Sequence, residues 1–126
     1  MSVLIDTSVW IDHFRNGNDA LVHLIGLDLA LTHPMVILEL ACGTPPAPRA
    51  QTLHNMGLLQ ACNQASLIEV MAFIEREKLY GLGCGSVDMA LLASTLITPG
   101  TELWTLDKRL ADLARRFCVA HRPTLH

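Results

Sequence analysis

The chain has 126 residues, of which 51% are hydrophobic and 5% aromatic, and its net charge is -3 at pH 7. This length suits one domain, residues 1–126, with an aliphatic core, and the high hydrophobic content excludes a disordered chain. The negative net charge argues against binding nucleic acid mainly through a broad basic surface. Apolar runs end well before the roughly eighteen residues of a membrane span, and no secretory signal opens the chain. We therefore expect a soluble cytoplasmic protein with reduced cysteines.

Apolar runs and helical spacing alternate along the chain. A strand should come first, followed by a helix capped by Thr7 or Ser8, whose buried stripe is Val9, Trp10, Ile11 and Phe14. The later predicted helices are 19–26, 34–43, 49–57, 66–79, 87–97 with Ser86 as its cap, and 108–117. The predicted strands are 2–6, 27–32, 102–106 and 118–120.

Strands that alternate with helices imply right-handed crossovers and parallel pairing. The sequence thus predicts an α/β fold with a central parallel sheet of four to five short strands and helices on both sides.

Four acids stand in apolar surroundings, where an ionised carboxylate is costly unless it is compensated. Asp6 ends an apolar strand, and Asp107 closes another. Glu39 lies inside an apolar helix, and Asp88 lies in the first turn of one. Because no Lys or Arg is within a helical turn of Asp6, Glu39 or Asp88, we expect the acids to converge on a divalent cation.

Asp6 and Asp107 should share the carboxyl edge of the sheet, where open parallel sheets bind ligands. Carboxylate oxygens suit Mg²⁺ or Mn²⁺, whereas no Cys or His pair has the spacing of a zinc site. A cation of this kind would support hydrolysis of a phosphodiester bond. Each acid also has a simpler explanation: Asp107 as a helix cap, for example, or Asp88 as an acid that favours its helix dipole.

Two hydroxyl side chains follow or precede these acids by two residues. Ser8 and Thr105 could hold a ligand carboxylate or a metal-bound water through hydrogen bonds. Their ordinary alternatives are a helix cap for Ser8 and a β-branched strand position for Thr105.

Five of the nine basic residues fall in the last nineteen positions. A positive surface beside an acidic site would hold the phosphates of a polyanion, although a solvated helix face gives the same pattern. The candidate substrate-binding residues are Lys108, Arg109, Arg115 and Arg116.

Four segments, in this order, resemble the signature blocks of PIN-domain ribonucleases, and in particular the VapC-type toxins of bacterial toxin–antitoxin modules. The segments are VLIDTSVWI at 3–11, ELACG at 39–43, GCGSVDMALL at 83–92 and LWTLDKRL at 103–110. Cys84 departs from the pattern, because this turn more often carries an aliphatic residue.

This resemblance implies a PIN-like fold and a magnesium or manganese site formed by Asp6, Glu39, Asp88 and Asp107. It also implies endonucleolytic cleavage of RNA, a homodimer, and an antitoxin whose tail fills the groove. Two alternatives stay open: a catalytically silent module that binds RNA or a partner protein, and a phosphatase or receiver domain. A phosphatase of the haloacid dehalogenase type would need a second Asp where Ser8 stands.

Overall fold

Three short parallel strands form the centre of the structure, a computed structural model that describes residues 1–123. Strand β1 (Ser2–Ile5) lies between β2 (Ala30–Leu31) and β3 (Thr101–Trp104). Both outer strands run parallel to β1, and Leu4 is in register with both Leu31 and Leu103. The carboxyl ends of the three strands therefore share one edge of the sheet.

The sheet has fewer strands than the four to five that the sequence predicts. The predicted strand at 118–120 is reduced to a single parallel bridge, between Leu103 and Ala120. Cys118 has a φ of 61°, so the chain is still turning out of the last helix there and little extended backbone remains. A second single bridge, Thr32 to Ala61, extends the opposite side.

The predicted strand at 27–32 is also shorter, since only Ala30 and Leu31 are extended within it. The amide of Leu27 bonds to the carbonyl of His23, and Asp28 has a φ of 58°. These residues therefore complete the end of the preceding helix instead of starting the strand.

Helices connect the strands. In the part of the chain that the structure describes, they are α1 (Thr7–Asn16), α2 (Asp19–Gly26), α3 (Pro34–Cys42), α4 (Arg49–Gly57), α5 (Leu67–Glu77), α6 (Ser86–Leu96) and α7 (Lys108–Arg116). With the strand order β2-β1-β3, right-handed crossovers put α1 and α2 on one face of the sheet and α3 to α6 on the other. No helix within residues 1–123 is long and apolar enough to cross a membrane.

Two helices begin one residue earlier than predicted. The cap of α1 is Asp6, not Thr7 or Ser8, because its carboxylate accepts the amide of Ser8. The cap of α6 is Gly85, not Ser86, and the helix start is closed by the Asp88 side chain. In both cases the side chain that satisfies the first free amides belongs to a candidate site residue.

The aliphatic core surrounds β1, whose Leu4 and Ile5 have no exposed surface. Helix α6 is buried from Met89 to Thr95, which explains why its sequence shows almost no polar face. The predicted buried stripe of α1 is only partly confirmed, since Val9 and Trp10 are buried but Ile11 is 39% exposed.

One face of α5 is apolar and exposed. Leu67, Ile68 and Met71 are 78%, 80% and 66% exposed, whereas Val70 and Phe73 supply the buried side of this helix. The helix is held at its start by a capping box between Ser66 and Glu69. We call the three exposed side chains the α5 apolar patch.

Candidate active site

Asp6 is the anchor of the site and is only 5% exposed. Its Oδ2 atom accepts hydrogen bonds from the Ser8 hydroxyl at 2.6 Å and from the Thr105 hydroxyl at 2.8 Å. The amide of Ser8 also donates to this oxygen, at 3.3 Å. Three donors thus hold one oxygen of a carboxylate that stands at the end of β1.

The two hydroxyls also connect the site to the segment that enters α7. Ser8 Oγ accepts the amide of Leu106 at 2.9 Å, and Thr105 Oγ1 accepts the amide of Asp107 at 3.0 Å. Because each hydroxyl has one proton and gives it to Asp6, each can accept here. Ser8 and Thr105, which the sequence suggested could hold a ligand carboxylate, both bond to Asp6 in addition to these two contacts.

Glu39 reaches the site from α3 and is solvent-exposed. Its Oε1 accepts a hydrogen bond from the buried hydroxyl of Thr7 at 2.6 Å. Sequence reasoning assigned Thr7 only as a possible helix cap and missed this contact. The available signal was its position next to Asp6. The side chains of two consecutive residues at the end of a strand can each contact a different acid of the same site.

Asp88 and Asp107 each close the start of a helix. Asp88 Oδ2 accepts the amide of Gly85 at 3.2 Å, and Asp107 Oδ1 accepts the amide of Leu110 at 2.9 Å. The simpler explanation of Asp107 as a helix cap is therefore confirmed, and Asp88 lies in the first turn of α6, as its simpler explanation requires. These hydrogen bonds use one oxygen of each carboxylate, and the other oxygen has no hydrogen bond from residues 1–123.

The four acids lie close enough to act on one another. Burial is the main reason that the pKa of Asp88 is raised above its ordinary value, and the charges of Asp6, Asp107 and Glu39 raise it further. Within the described residues, none of the four forms an ion pair with Lys, Arg or His. We call Asp6, Glu39, Asp88 and Asp107 the acid cluster.

The acids are neighbours without meeting at one point. Among residues 1–123, no three His, Cys, Asp or Glu side chains are placed to hold one metal ion. The cluster therefore combines four segments of chain at the carboxyl edge of the sheet, with one anchored carboxylate and three that occupy helix ends or a helix face.

Two curated proteins align with most of this chain. Both are named Ribonuclease VapC32 and come from two strains of Mycobacterium tuberculosis, CDC 1551 / Oshkosh and ATCC 25618 / H37Rv. Each is 43% identical over 108 residues, which cover 86% of this chain and 86% of the relative. This chain belongs to the PIN-domain ribonucleases of the VapC type. No family model matches the sequence.

The departure of this VapC-family chain at Cys84 lies within the site. The half-buried thiol has a pKa raised first by burial and then by the charges of Asp88 and Asp107, while Arg109 lowers it. Arg109 itself donates to the carbonyl of Gly83 at 3.4 Å. A Cβ added at Gly83 would come within 2.5 Å of the Arg109 guanidinium, so this glycine, with a φ of 84°, lets the arginine lie against the turn.

The four predicted substrate-binding residues of this VapC-family chain separate into two pairs. Lys108 and Arg109 are exposed in the first turn of α7, directly after Asp107. Arg115 forms an ion pair with Asp112, and Arg116 donates to the carbonyl of Glu77 at 3.1 Å. The second pair lies about two turns along the helix, roughly 10 Å from its start.

Proposed function

We propose that this chain is a metal-dependent RNA endonuclease that hydrolyses phosphodiester bonds and acts as the toxin of a toxin–antitoxin pair. Membership of the VapC family supports cleavage of RNA, because the relatives are named ribonucleases. The observation that carries the proposal for this chain is the acid cluster. Four carboxylates from separate segments repel one another, and no basic side chain of residues 1–123 pairs with them.

The donor set of the acid cluster fits Mg²⁺ or Mn²⁺. Oxygen ligands are those that these hard cations prefer. Burial first, and then the charges of Asp6, Asp107 and Glu39, raise the pKa of Asp88, and a bound cation would favour its charged form. Asp6, Glu39, Asp88 and Asp107 would hold the ion. When bound, the cation supplies a Lewis acid that activates water and neutralises charge on the phosphate.

The residues of the chain itself have distinct roles in this proposal. Asp6 stays fixed because three hydrogen bonds hold one oxygen, and this leaves its second oxygen for the reaction centre. Thr7 orients Glu39 through one hydrogen bond from its hydroxyl. Lys108 and Arg109, in the first turn of α7, are the cations that bind phosphates next to the scissile bond.

We also propose a homodimer and a cognate antitoxin as partners. The α5 apolar patch supports a protein contact, because side chains that are 66% to 80% exposed are seldom left uncovered in a group. Residues 1–126 would act as one nuclease domain. A cytoplasmic location fits an RNA substrate and four cysteines that form no disulfide.

The test is cleavage of a mixed RNA pool in Mg²⁺ by the wild type and by Asp6→Asn. Asp28→Asn is the matched control, since Asp28 is exposed and Asn tolerates its φ of 58°. We expect cleavage by the wild type and the control, and loss of cleavage with Asp6→Asn or with chelator. Equal activity of the wild type and Asp6→Asn would reject the proposal.

Titration calorimetry with Mn²⁺ separates a nuclease from a silent binding module. A saturable heat that depends on Asp6 and Asp88 supports the nuclease. RNA binding by the wild type without such a heat and without cleavage would instead support the silent module.

A further inference from the structure

A cavity of about 230 Å³ opens between the end of β3 and α7. Its lining combines the two residues after β3, two residues of α7 and two residues that follow the last bridge of the sheet. These are Thr105, Leu106, Ala111, Arg115, His121 and Arg122. We call this space the β3–α7 cavity.

The cavity lies at the same edge of the sheet as the acid cluster. The amide of Leu103 bonds to the carbonyl of Val119 at 2.7 Å, and the amide of His121 bonds back to Leu103 at 2.9 Å. This parallel pairing carries His121 to the carboxyl edge of the sheet, where Thr105 also lies. Because the Thr105 hydroxyl bonds to Asp6, the cavity begins where the acid cluster ends.

Part of the cavity wall is apolar, and several of its residues are held in place. The His121 ring packs against Trp104 with centroids 5.4 Å apart, and its Nδ1 lies 3.0 Å from Glu102 Oε1. Leu106 is 54% exposed at the side nearest the acids, yet its amide is fixed by the Ser8 hydroxyl. An unstacked nucleobase can bury one face against an apolar surface of this kind.

Two guanidinium groups complete the surroundings of the cavity. Arg115 comes from α7 and pairs with Asp112, which still leaves part of its planar set of donors for a second anion. Arg122 comes from the segment after the last bridge and is exposed. An apolar wall for a base beside two cations for a phosphate matches one nucleotide of a single strand.

We propose that the β3–α7 cavity binds one nucleotide of the RNA strand next to the scissile phosphate. Its base packs against Leu106 and Ala111, and its phosphate bonds to Arg115 and Arg122. This inference rests on the proposed ribonuclease function, and it gives the cavity the role of selecting the base that flanks the cut.

The experiment uses short single-stranded RNAs that carry one abasic ribose, moved position by position past the cleavage site. For the wild type, kcat/KM should fall about fivefold or more at one position, because an abasic ribose buries no base surface against Leu106 and Ala111. Ala111→Phe, which fills the cavity, should cleave intact RNA less efficiently and show no further loss at that position. Arg122→Gln should raise KM several-fold with kcat unchanged, and Arg15→Gln, on the exposed end of α1, is the matched control.

Three results would overturn the inference: no position-specific loss for the wild type, the same loss in Ala111→Phe, or an unchanged KM in Arg122→Gln. If Ala111→Phe fails to fold by circular dichroism, Arg122→Gln decides, since its side chain is exposed. If the wild type cleaves no RNA, the proposed function fails by itself. The cavity is then judged by RNA affinity in chelator, where Arg122→Gln should weaken binding about threefold relative to Arg15→Gln.

Discussion

Two polar clusters lie inside this chain, and they differ in how their charges and hydrogen bonds are balanced. The first is the acid cluster at the carboxyl edge of the sheet. The second joins His33, at the start of α3, to Ser94 of α6, and both residues are almost fully buried. We call the second the His33–Ser94 cluster.

The His33–Ser94 cluster is neutral, and both ring nitrogens of His33 have hydrogen-bond partners. His33 Nδ1 accepts the amide of Met35 at 3.0 Å, so the ring proton must be on Nε2, which lies 3.2 Å from Ser94 Oγ. Ser94 Oγ also accepts the amide of Ala65 at 3.1 Å. Burial lowers the pKa of His33, which keeps the ring uncharged. These contacts join three segments of chain and stabilise the fold.

The acid cluster, in contrast, is negatively charged and only partly hydrogen-bonded. Its hydrogen bonds occupy one oxygen of each carboxylate, and the pKa of Asp88 is raised by burial and then by the like charges around it. Burial alone therefore does not identify a functional site in this chain, since both clusters contain buried polar groups. Uncompensated charge of one sign does identify a functional site. It lowers stability, and its presence therefore needs a reason other than folding.

The largest effect, a loss of RNA cleavage, is expected for Asp88→Asn. The amide keeps the hydrogen bond from Gly85 but removes one negative charge. We expect RNA cleavage to fall about 100-fold or more. In chelator, the free energy of unfolding should rise by about 0.5 kcal/mol, because repulsion from Asp6, Asp107 and Glu39 is relieved. Cleavage assays and thermal melts of the same preparation check both, and a variant that is both active and unstable would contradict the comparison.

Ser94→Ala should have the reverse effect, lowering stability while leaving RNA cleavage nearly unchanged. The change leaves His33 Nε2 and the amide of Ala65 without their partner inside the core. We expect a loss of about 1–3 kcal/mol in the free energy of unfolding. At temperatures where the variant is folded, RNA cleavage should stay within about twofold of the wild type. Denaturant unfolding followed by cleavage assays tests this, with Ser2→Ala as a control on a half-buried serine.

Thr7→Val tests whether orientation of an acid matters separately from its presence. Val keeps the shape of the buried side chain and removes the bond to Glu39 at 2.6 Å. We expect a fall in cleavage of about tenfold, which is typical when a residue that orients a ligand is lost. Thr7→Ser should restore most of the activity. If Thr7→Val cleaves as well as the wild type, Glu39 does not depend on this contact.

The smallest effect concerns pH. His33 has a lowered pKa in the fold, so below its ordinary value of 6.5 the unfolded chain binds a proton that the folded chain does not. The stability that neutral His33 contributes is therefore present above pH 6.5 and is lost as pH falls towards the lowered pKa. His33→Asn keeps a cap acceptor without titrating. Between pH 6.5 and 5.5, the wild type should lose about 1 kcal/mol or less relative to this variant in urea unfolding.

Much of the fold was predictable because it follows from local sequence patterns. Alternation of apolar runs and caps predicted the parallel arrangement and all the helices within residues 1–123 to within a few residues. The strand count was wrong, because Asp28 and Cys118 adopt positive φ values that their residue types do not require. Non-glycine residues in this conformation depend on the surrounding packing and leave no clear signal in the sequence.

The sequence allows the acids of the candidate site to be selected, but it does not reveal their contacts. An acid that interrupts an apolar run is visible in the sequence, and so Asp6 and Glu39 could be selected. The bond from Thr7 to Glu39 spans 32 positions, and only the packing of α1 against α3 brings the two side chains together. The β3–α7 cavity depends in the same way on the bridge between Leu103 and Ala120, which spacing alone does not reveal.

Asp6 both ends β1 and caps α1, whereas Asp88 holds a single amide with an oxygen that an asparagine can replace. In a lineage that is no longer selected for cleavage, substitutions would therefore accumulate first at Asp88, where inactivation makes the protein more stable. Asp6 would be substituted only later. Descendants that have lost the enzymatic activity should still have an aspartate at the position of Asp6, retained from the ancestral nuclease.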